Sequence, residues 1–100
     1  MFTATFIIKA KNYNREFHDY NDRIDEIAKN SPGYLFKEKW QSADGVLENV
    51  VYYWETMESI MAFSKNEIHN EAKARFREWY HGYKVIIAEV VHTSENGSII

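Results

Sequence analysis

The chain has 100 residues, of which 45% are hydrophobic, 16% aromatic and 27% charged. This length fits one domain, and the composition is globular, which excludes a disordered, collagen-like or low-complexity chain. The net charge of −3 argues against general binding to nucleic acid or to an anionic membrane. Because the chain contains no cysteine, a disulfide scaffold, a thiolate zinc site and a cysteine nucleophile are excluded.

The residues at the two ends of the chain predict where in the cell the protein is found and which residues form its folded domain. The N-terminal segment has no basic leader, and no stretch approaches the ~20 apolar residues that a membrane span needs. We therefore expect a cytoplasmic protein. The small polar residues from Thr93 onward predict a single domain over residues 1–92 and a flexible tail over residues 93–100.

The first half of the chain contains a strand, a helix and a second strand. Period-two alternation of apolar residues predicts a strand over Phe2–Lys11. Apolar residues at helical spacing follow, with Asn14 as the N-cap and the segment Ser31–Gly33 as the stop. A second strand is predicted over Tyr34–Ser42, and a hairpin turn follows it.

The second half is predicted to hold a strand, two helices and a final strand. The third strand covers Val46–Glu55, and Thr56 caps a short helix. A break near Lys65 leads into another helix, which Gly82 is expected to end as a C-cap residue. The last strand covers Tyr83–His92. The apolar stripe of the last helix is Ile68, Ala72, Phe76, Trp79 and Tyr80.

This element order is βαββαβ, which predicts a ferredoxin-like α+β fold. Right-handed crossovers place the helices on one face of a four-stranded antiparallel sheet. Such a sheet should alternate between apolar residues that face the helices and polar residues that face water.

The third and fourth strands depart from that alternation because they are apolar on both faces. About six apolar side chains remain on the face without helices, which is on the order of 10 kcal/mol of unused hydrophobic stabilisation. We therefore predict a homodimer in which two sheets pack face to face. The alternative is that the fourth strand is central in the sheet and crowded on both sides. In the third strand one face carries Val46, Val50, Tyr52 and Trp54, and the other carries Leu47, Val51 and Tyr53. In the fourth strand Val85, Ile87 and Val91 lie on one face, and Ile86, Ala88 and Val90 lie on the other.

Several chemistry-bearing motifs are missing from the sequence. The four glycines are isolated, so there is no phosphate-binding loop, and no serine-hydrolase elbow occurs. His18 and Asp22 are spaced i,i+4, but a solvated surface contact is favoured over a metal site. An RNA-recognition module shares the element order, yet the basic glycine-aromatic segment that it needs is absent. We expect no metal and no nucleic-acid partner.

One histidine and a group of aromatic residues remain as candidates for a site. His69 lies in the first turn of the last helix beside Ile68, which is predicted to face the core. It could act as a base or bind an anionic group, or it could be an ordinary residue at a helix start. The aromatic residues form either core or the lining of an apolar pocket between helix and sheet. They are Trp54, Phe63, Trp79 and Tyr80.

The segments 53–60, 69–72 and 79–85 carry a family resemblance. A strand that ends in Trp54, a helix start with His69 and Ala72, and the pair Trp79–Tyr80 before the last strand resemble the antibiotic biosynthesis monooxygenase family of dimeric α+β barrels. The resemblance implies a homodimer with a pocket between each sheet and its helices. It also implies oxygenation of phenolic substrates without metal or flavin, as in some members.

The resemblance further assigns roles to residues of this chain. His69 would be the catalytic base or anion partner, and the four aromatic residues named above would bind substrate. A haem-degrading branch uses an Asn, a Trp and a His. In register, this chain offers Thr5 or Ile7, Phe63 and Lys73 at those positions, so haem degradation is not expected.

We therefore predict a cofactor-free monooxygenase that acts on a small aromatic, phenolic or quinone-type molecule. Two alternatives use the same dimeric scaffold. One is a non-catalytic protein that binds a small apolar ligand, and the other is a purely structural dimer.

Overall fold

A computed structural model describes residues 1–97, and it contains four strands and four helices over that range. The predicted βαββαβ order is confirmed, with the second helical region divided into three pieces. Residues 93–97 form neither helix nor strand, and the rest of the predicted tail lies outside the described residues. The elements are β1 (Phe2–Ala10), α1 (Arg15–Lys29), β2 (Tyr34–Gln41), β3 (Leu47–Trp54), α2 (Met57–Ser64), α3 (Glu67–Ala74), α4 (Phe76–Trp79) and β4 (Tyr80–Glu89).

The four strands form one antiparallel sheet in the order β2-β3-β1-β4. Phe6 of β1 lies opposite Val50 of β3 and Val85 of β4, which fixes the register at the middle of the sheet. This is the predicted ferredoxin-like arrangement. Because β4 is an edge strand, the alternative of a crowded central fourth strand is wrong.

Side-chain caps determine where the three longer helices begin. Asn14 accepts a hydrogen bond from the backbone N–H of Phe17 at 2.9 Å, and Thr56 accepts one from that of Ser59 at 3.1 Å. The predicted N-caps of α1 and α2 are therefore confirmed. Asn66 caps α3 at the predicted break between the helices.

The end of the last helix differs from the prediction. Helix α3 stops at Ala74, α4 ends at Trp79, and Tyr80 already belongs to β4. Gly82 is therefore a strand residue opposite Lys9 rather than a helix C-cap. The reason is pairing with β1, since the carbonyl of Trp79 accepts hydrogen bonds from the N–H groups of residues 11 and 12 at 2.8 and 3.0 Å. This pairing overrides the local helical pattern.

The helices cover one face of the sheet, and the open face carries an apolar patch. Burial beneath the helices is deepest near the Trp54 end of β3, where the core cluster is Ala4, Ala28, Tyr52, Trp54, Ile60 and Phe63. We call the apolar residues on the other side the open face. They are Ile7, Phe36, Trp40, Leu47, Val51, Tyr53, Ile86 and Ala88.

The edge strand β4 is exposed on both faces, which the sequence pattern did not indicate. Tyr83, Val85 and Ile87 belong to the helix side of the sheet yet are 47%, 43% and 45% exposed. The helix layer therefore stops short of this edge and leaves an opening along it. Within residues 1–97, none of the helices has the length and apolarity that crossing a membrane requires.

Candidate functional site

An apolar cavity of about 130 Å³ lies between the sheet and the helices α1, α3 and α4. Its floor is the helix side of β1 and β3, and its mouth is the exposed side of β4, where Tyr83 and Val85 lie. Most of its wall is aromatic or aliphatic, so a bound molecule would be held mainly by burial of apolar surface. The apolar residues that matter below are Phe6, Val50, Phe63, Trp79 and Tyr80.

His69 is a polar residue of the cavity wall that lies in the first turn of α3. Asn66 accepts hydrogen bonds from the backbone N–H groups of Ile68 and His69 at 2.9 and 3.3 Å, which fixes the first turn. The ring of His69 lies 4.9 Å from that of Phe63 and 6.4 Å from that of Phe6, between centroids. His69 is only 8% exposed, whereas Ile68 is half-buried, so the histidine is the more buried of the two.

The surroundings of His69 keep its ring neutral. Burial, and to a smaller extent the charge of Lys73, lower the pKa of His69 to about 4, although the backbone of Ser64 acts in the opposite direction. Nδ1 is fully buried and has no hydrogen-bond partner in the described part of the chain. The side chain of His69 is one of the groups that line the cavity. A neutral imidazole can accept a proton or a hydrogen bond there.

The structure brings three of the four predicted aromatic residues to the cavity. Phe63, Trp79 and Tyr80 line it together with His69. Trp54 is fully buried in the core, with its ring 5.3 Å from that of Phe63, and it does not line the cavity. It supports the wall from behind, and the binding role of all four residues stays a prediction.

Two polar or weakly polar residues of the wall, Glu48 and Tyr52, were missed by sequence analysis. Glu48 is 6% exposed and lies on the helix side of β3. The available signal was a single acidic residue in the otherwise apolar alternation of that strand face. Burial and the neighbouring carboxylate of Asp25 raise the pKa of Tyr52, and burial with Tyr13 and Glu48 raises that of Tyr80. Both phenols are therefore protonated at neutral pH.

The residues considered for a metal or a haem do not form such a site in the described part of the chain. Across residues 1–97 no three His, Cys, Asp or Glu side chains come together as a metal centre would need. His18 packs edge-on against Phe17, with the ring centroids 5.4 Å apart. Of the positions that correspond to a haem site, Thr5 and Ile7 lie on the face of the sheet opposite the cavity, while Lys73 lies at its wall.

The chain is similar in sequence to a protein of known sequence and similar in fold to many solved structures. The chain is 31% identical to the uncharacterised protein YqjZ of Bacillus subtilis over 84 residues, which cover 83% of this chain and 72% of YqjZ. No model of a known protein family matches it.

Solved structures with the same fold extend the comparison. A candidate antibiotic biosynthesis monooxygenase from Deinococcus radiodurans superposes with a TM-score of 0.81 at 9% identity, covering 98% of this chain and all of that one. SnoaB, a cofactor-independent oxygenase from Streptomyces nogalater, superposes with a TM-score of 0.76 at 11% identity, covering 92% and 94% of the two chains. At these identities the likeness establishes the fold.

Proposed function

The chain belongs to the family of Bacillus subtilis YqjZ and has the antibiotic biosynthesis monooxygenase fold, and on that basis we propose that it is a cofactor-independent monooxygenase. Its substrate would be a small phenolic or quinone-type aromatic molecule bound in the cavity between sheet and helices. SnoaB supports this class of reaction, because it is an oxygenase that needs no cofactor and has the same fold.

The observation that carries the proposal is the position of His69 in an apolar cavity. Its ring is uncharged at neutral pH, and the rings of Phe6 and Phe63 pack against it. A phenol in this cavity would stack against apolar surface while its hydroxyl donates to Nε2. Removal of water strengthens the electrostatic interactions of the bound phenol.

The reaction balances without an added electron carrier. Loss of the hydroxyl proton to Nε2 leaves a phenolate, which transfers one electron to O2. Recombination forms a carbon–oxygen bond, and cleavage of the oxygen–oxygen bond leaves one oxygen atom on the ring and releases the other as water. For a hydroquinone the product is a hydroxyquinone, so the substrate supplies every electron that reduces O2.

The low pKa of His69 applies to the protein alone, and a bound phenol would change it. Proton transfer from a bound phenol creates an imidazolium in contact with a phenolate, and this opposite charge offsets the cost of burying each ion. Lys73 lies one helical turn beyond His69 and also borders the cavity, so its ammonium group would stabilise the phenolate. General-base catalysis of this kind contributes about 10²–10⁴-fold to the rate.

The size of the cavity indicates the size of the substrate. A cavity of ~150 Å³ is known to hold one benzene molecule, and the cavity here has a volume of about 130 Å³. A single aromatic ring therefore fills it, and larger substituents would extend through the mouth beside Tyr83. We expect one-ring hydroquinones to be the best first substrates.

Oxygen uptake in metal-chelated buffer with a panel of hydroquinones tests the function. We expect consumption above the rate of autoxidation, and we expect His69→Ala to lower turnover ~10²-fold while the chain stays folded. His18→Ala is the matched control, because His18 is exposed on α1, and it should leave the rate unchanged. Equal rates in the two variants would remove His69 from the mechanism.

A non-catalytic binding protein is the second candidate, and the low pKa of His69 favours it, since such a ring is a weak base. Under this alternative a hydroquinone raises the melting temperature but no oxygen is consumed above the buffer rate. If neither hydroquinones nor haem bind, a purely structural role is the remaining interpretation.

The open face supports the further proposal of a homodimer. Trp40, Leu47, Phe36 and Ile86 are 58%, 46%, 41% and 40% exposed there, and apolar patches of this kind mark interfaces. Sedimentation at micromolar concentration should give a dimer, and Leu47→Lys should shift it toward monomer. A wild-type monomer would contradict this. The cytoplasmic location stays an expectation.

A further inference from the structure

Glu48 is a buried carboxylate in the cavity wall that the mechanism above does not use. It is 6% exposed and lies opposite Ile8 on the helix side of the sheet. An ionised carboxylate is costly to bury unless it is paired and hydrogen-bonded. Its partners are Lys39, whose Nζ lies 3.4 Å from Oε1, and Gln41, whose Nε2 donates to Oε2 at 3.2 Å.

Lys39 and Gln41 leave acceptor sites on the Glu48 carboxylate that could take a further hydrogen bond. A carboxylate has about four lone-pair sites. Oε1 of Glu48 accepts no hydrogen bond within residues 1–97 and is not fully buried. The side chain of Lys39 is about half-exposed, so its ammonium group is partly solvated and only partly neutralises the carboxylate. Glu48 therefore keeps an acceptor that a bound molecule could use.

The negative charge of Glu48 acts on the side of the cavity where Tyr80 lies. Burial raises the pKa of Tyr80 most, and Tyr13 and the carboxylate of Glu48 raise it further. Burial and the same carboxylate also raise the pKa of Tyr13 to about 12. This end of the cavity is therefore an acceptor end, where a hydrogen-bond donor is favoured and an anion is repelled.

The sheet register separates this end from His69. The His69 ring packs over Phe6, which pairs with Val50, while Glu48 pairs with Ile8 two residues farther along both strands. Two residues of strand span ~7 Å, about the length of one aromatic ring with its substituents. The cavity thus has the cationic and basic groups His69 and Lys73 at one end and a carboxylate at the other.

We propose that Glu48 is a specificity-determining residue that selects phenols with a second hydrogen-bond donor on the opposite side of the ring. The hydroxyl that ionises would face His69, and the second donor, a hydroxyl or an amine, would donate to Oε1 of Glu48. This inference rests on the proposed use of the cavity, and it narrows the substrate class to aromatic rings with two donors at opposite ends.

Anaerobic binding measured by tryptophan fluorescence tests the inference without turnover. Hydroquinone and 4-aminophenol carry the second donor, whereas 4-methoxyphenol keeps the ring and the oxygen but lacks the donor. A hydrogen bond to a charged group supports a preference of about tenfold or more for the first two. Glu48→Met should abolish that preference. The matched substitution Glu38→Met, on the opposite face of the sheet, should retain it.

The outcomes separate this inference from the proposed function. Equal affinities for the three molecules in the unsubstituted protein would overturn the role of Glu48, whether or not Glu48→Met folds. A preference that survives in folded Glu48→Met would do the same. Oxygen uptake without any preference would overturn the role of Glu48 alone, and a Glu48-dependent preference without oxygen uptake would overturn the monooxygenase alone.

Discussion

The two ends of the helix-covered sheet face are built from similar residues but differ in packing. At one end Trp54 of β3, Ala28 of α1 and Ile60 of α2 are at most 3% exposed and pack together in the core. At the other end Trp79 and Tyr80 border a cavity that opens beside β4. Aromatic content alone therefore does not distinguish the core from the candidate site. The separation depends on how far the helix layer extends across the sheet.

The largest expected effect comes from removing a buried side chain at the end of the sheet face that contains Trp54, which we call the closed end. Trp54→Ala removes a fully buried ring from the core and should lower the free energy of unfolding by about 3–5 kcal/mol, measured by urea denaturation. Tyr83→Ala at the cavity mouth, where the side chain is 47% exposed, should cost under about 1 kcal/mol. If the two substitutions had similar costs, the contrast between the two ends would be wrong.

Two glycines provide a second comparison of the same kind. Gly33 has φ of +86°, and a Cβ there would lie 2.1 Å from Oγ of Ser59 at the closed end. Gly33→Ala should therefore cost about 2–4 kcal/mol of unfolding free energy, from backbone strain and overpacking together. Gly45 has φ of +74° but nothing within 4 Å of its Cβ position, so Gly45→Ala should cost only about 1–2 kcal/mol. Equal melting temperatures for the two variants would contradict the tight packing at Ser59.

The cavity end should give the protein a stability that depends on pH. The pKa of His69 is about 4 in the folded chain against 6.5 for an ordinary histidine. Between these values the unfolded state binds more protons, so stability is full above pH 6.5 and falls as the pH drops toward 4. The loss should be on the order of 3 kcal/mol, measured by denaturation at several pH values.

The variant His69→Phe isolates this contribution. It keeps an aromatic ring in the wall and removes the titrating group, so the part of the pH dependence that lies between pH 6.5 and 4 should flatten. An unchanged profile in that variant would show that other groups are responsible.

The smallest expected effects concern the helix caps at the two ends. Thr56→Ala at the start of α2 and Asn66→Ala at the start of α3 should each cost about 1 kcal/mol of unfolding free energy. Only the second should also weaken hydroquinone binding, because Asn66 holds the turn that carries His69. Binding assays on both variants check this, and equal affinities would show that the cap does not position the ring.

Sequence analysis recovered the parts of the fold that local patterns encode. Alternation located the strands, and Asn14 and Thr56 marked helix starts as capping residues. The end of the last helix was mispredicted because Tyr80 and Gly82 pair with β1, and a contact between residues so distant in sequence leaves no local signal. The position of β4 at the edge of the sheet also depends on pairing between distant residues, so the sequence could not exclude a central fourth strand.

The candidate site was predictable in its residue types more than in its geometry. His69, Phe63, Trp79 and Tyr80 do line one cavity. The sequence could not distinguish Trp54 from these residues, because only the tertiary packing places it in the core and away from the cavity. Glu48 interrupts an apolar strand face, and that interruption was the sequence signal for the second end of the cavity.

Oxygen-18 labelling of the product tests the monooxygenase most directly. The protein is incubated with hydroquinone and labelled O2 in chelated buffer, and the product is analysed by mass spectrometry. We predict a hydroxyquinone that carries one labelled oxygen atom, with the other in water, and loss of this product in His69→Ala. Formation of unlabelled quinone with hydrogen peroxide, or no consumption above the buffer rate, would contradict the proposal.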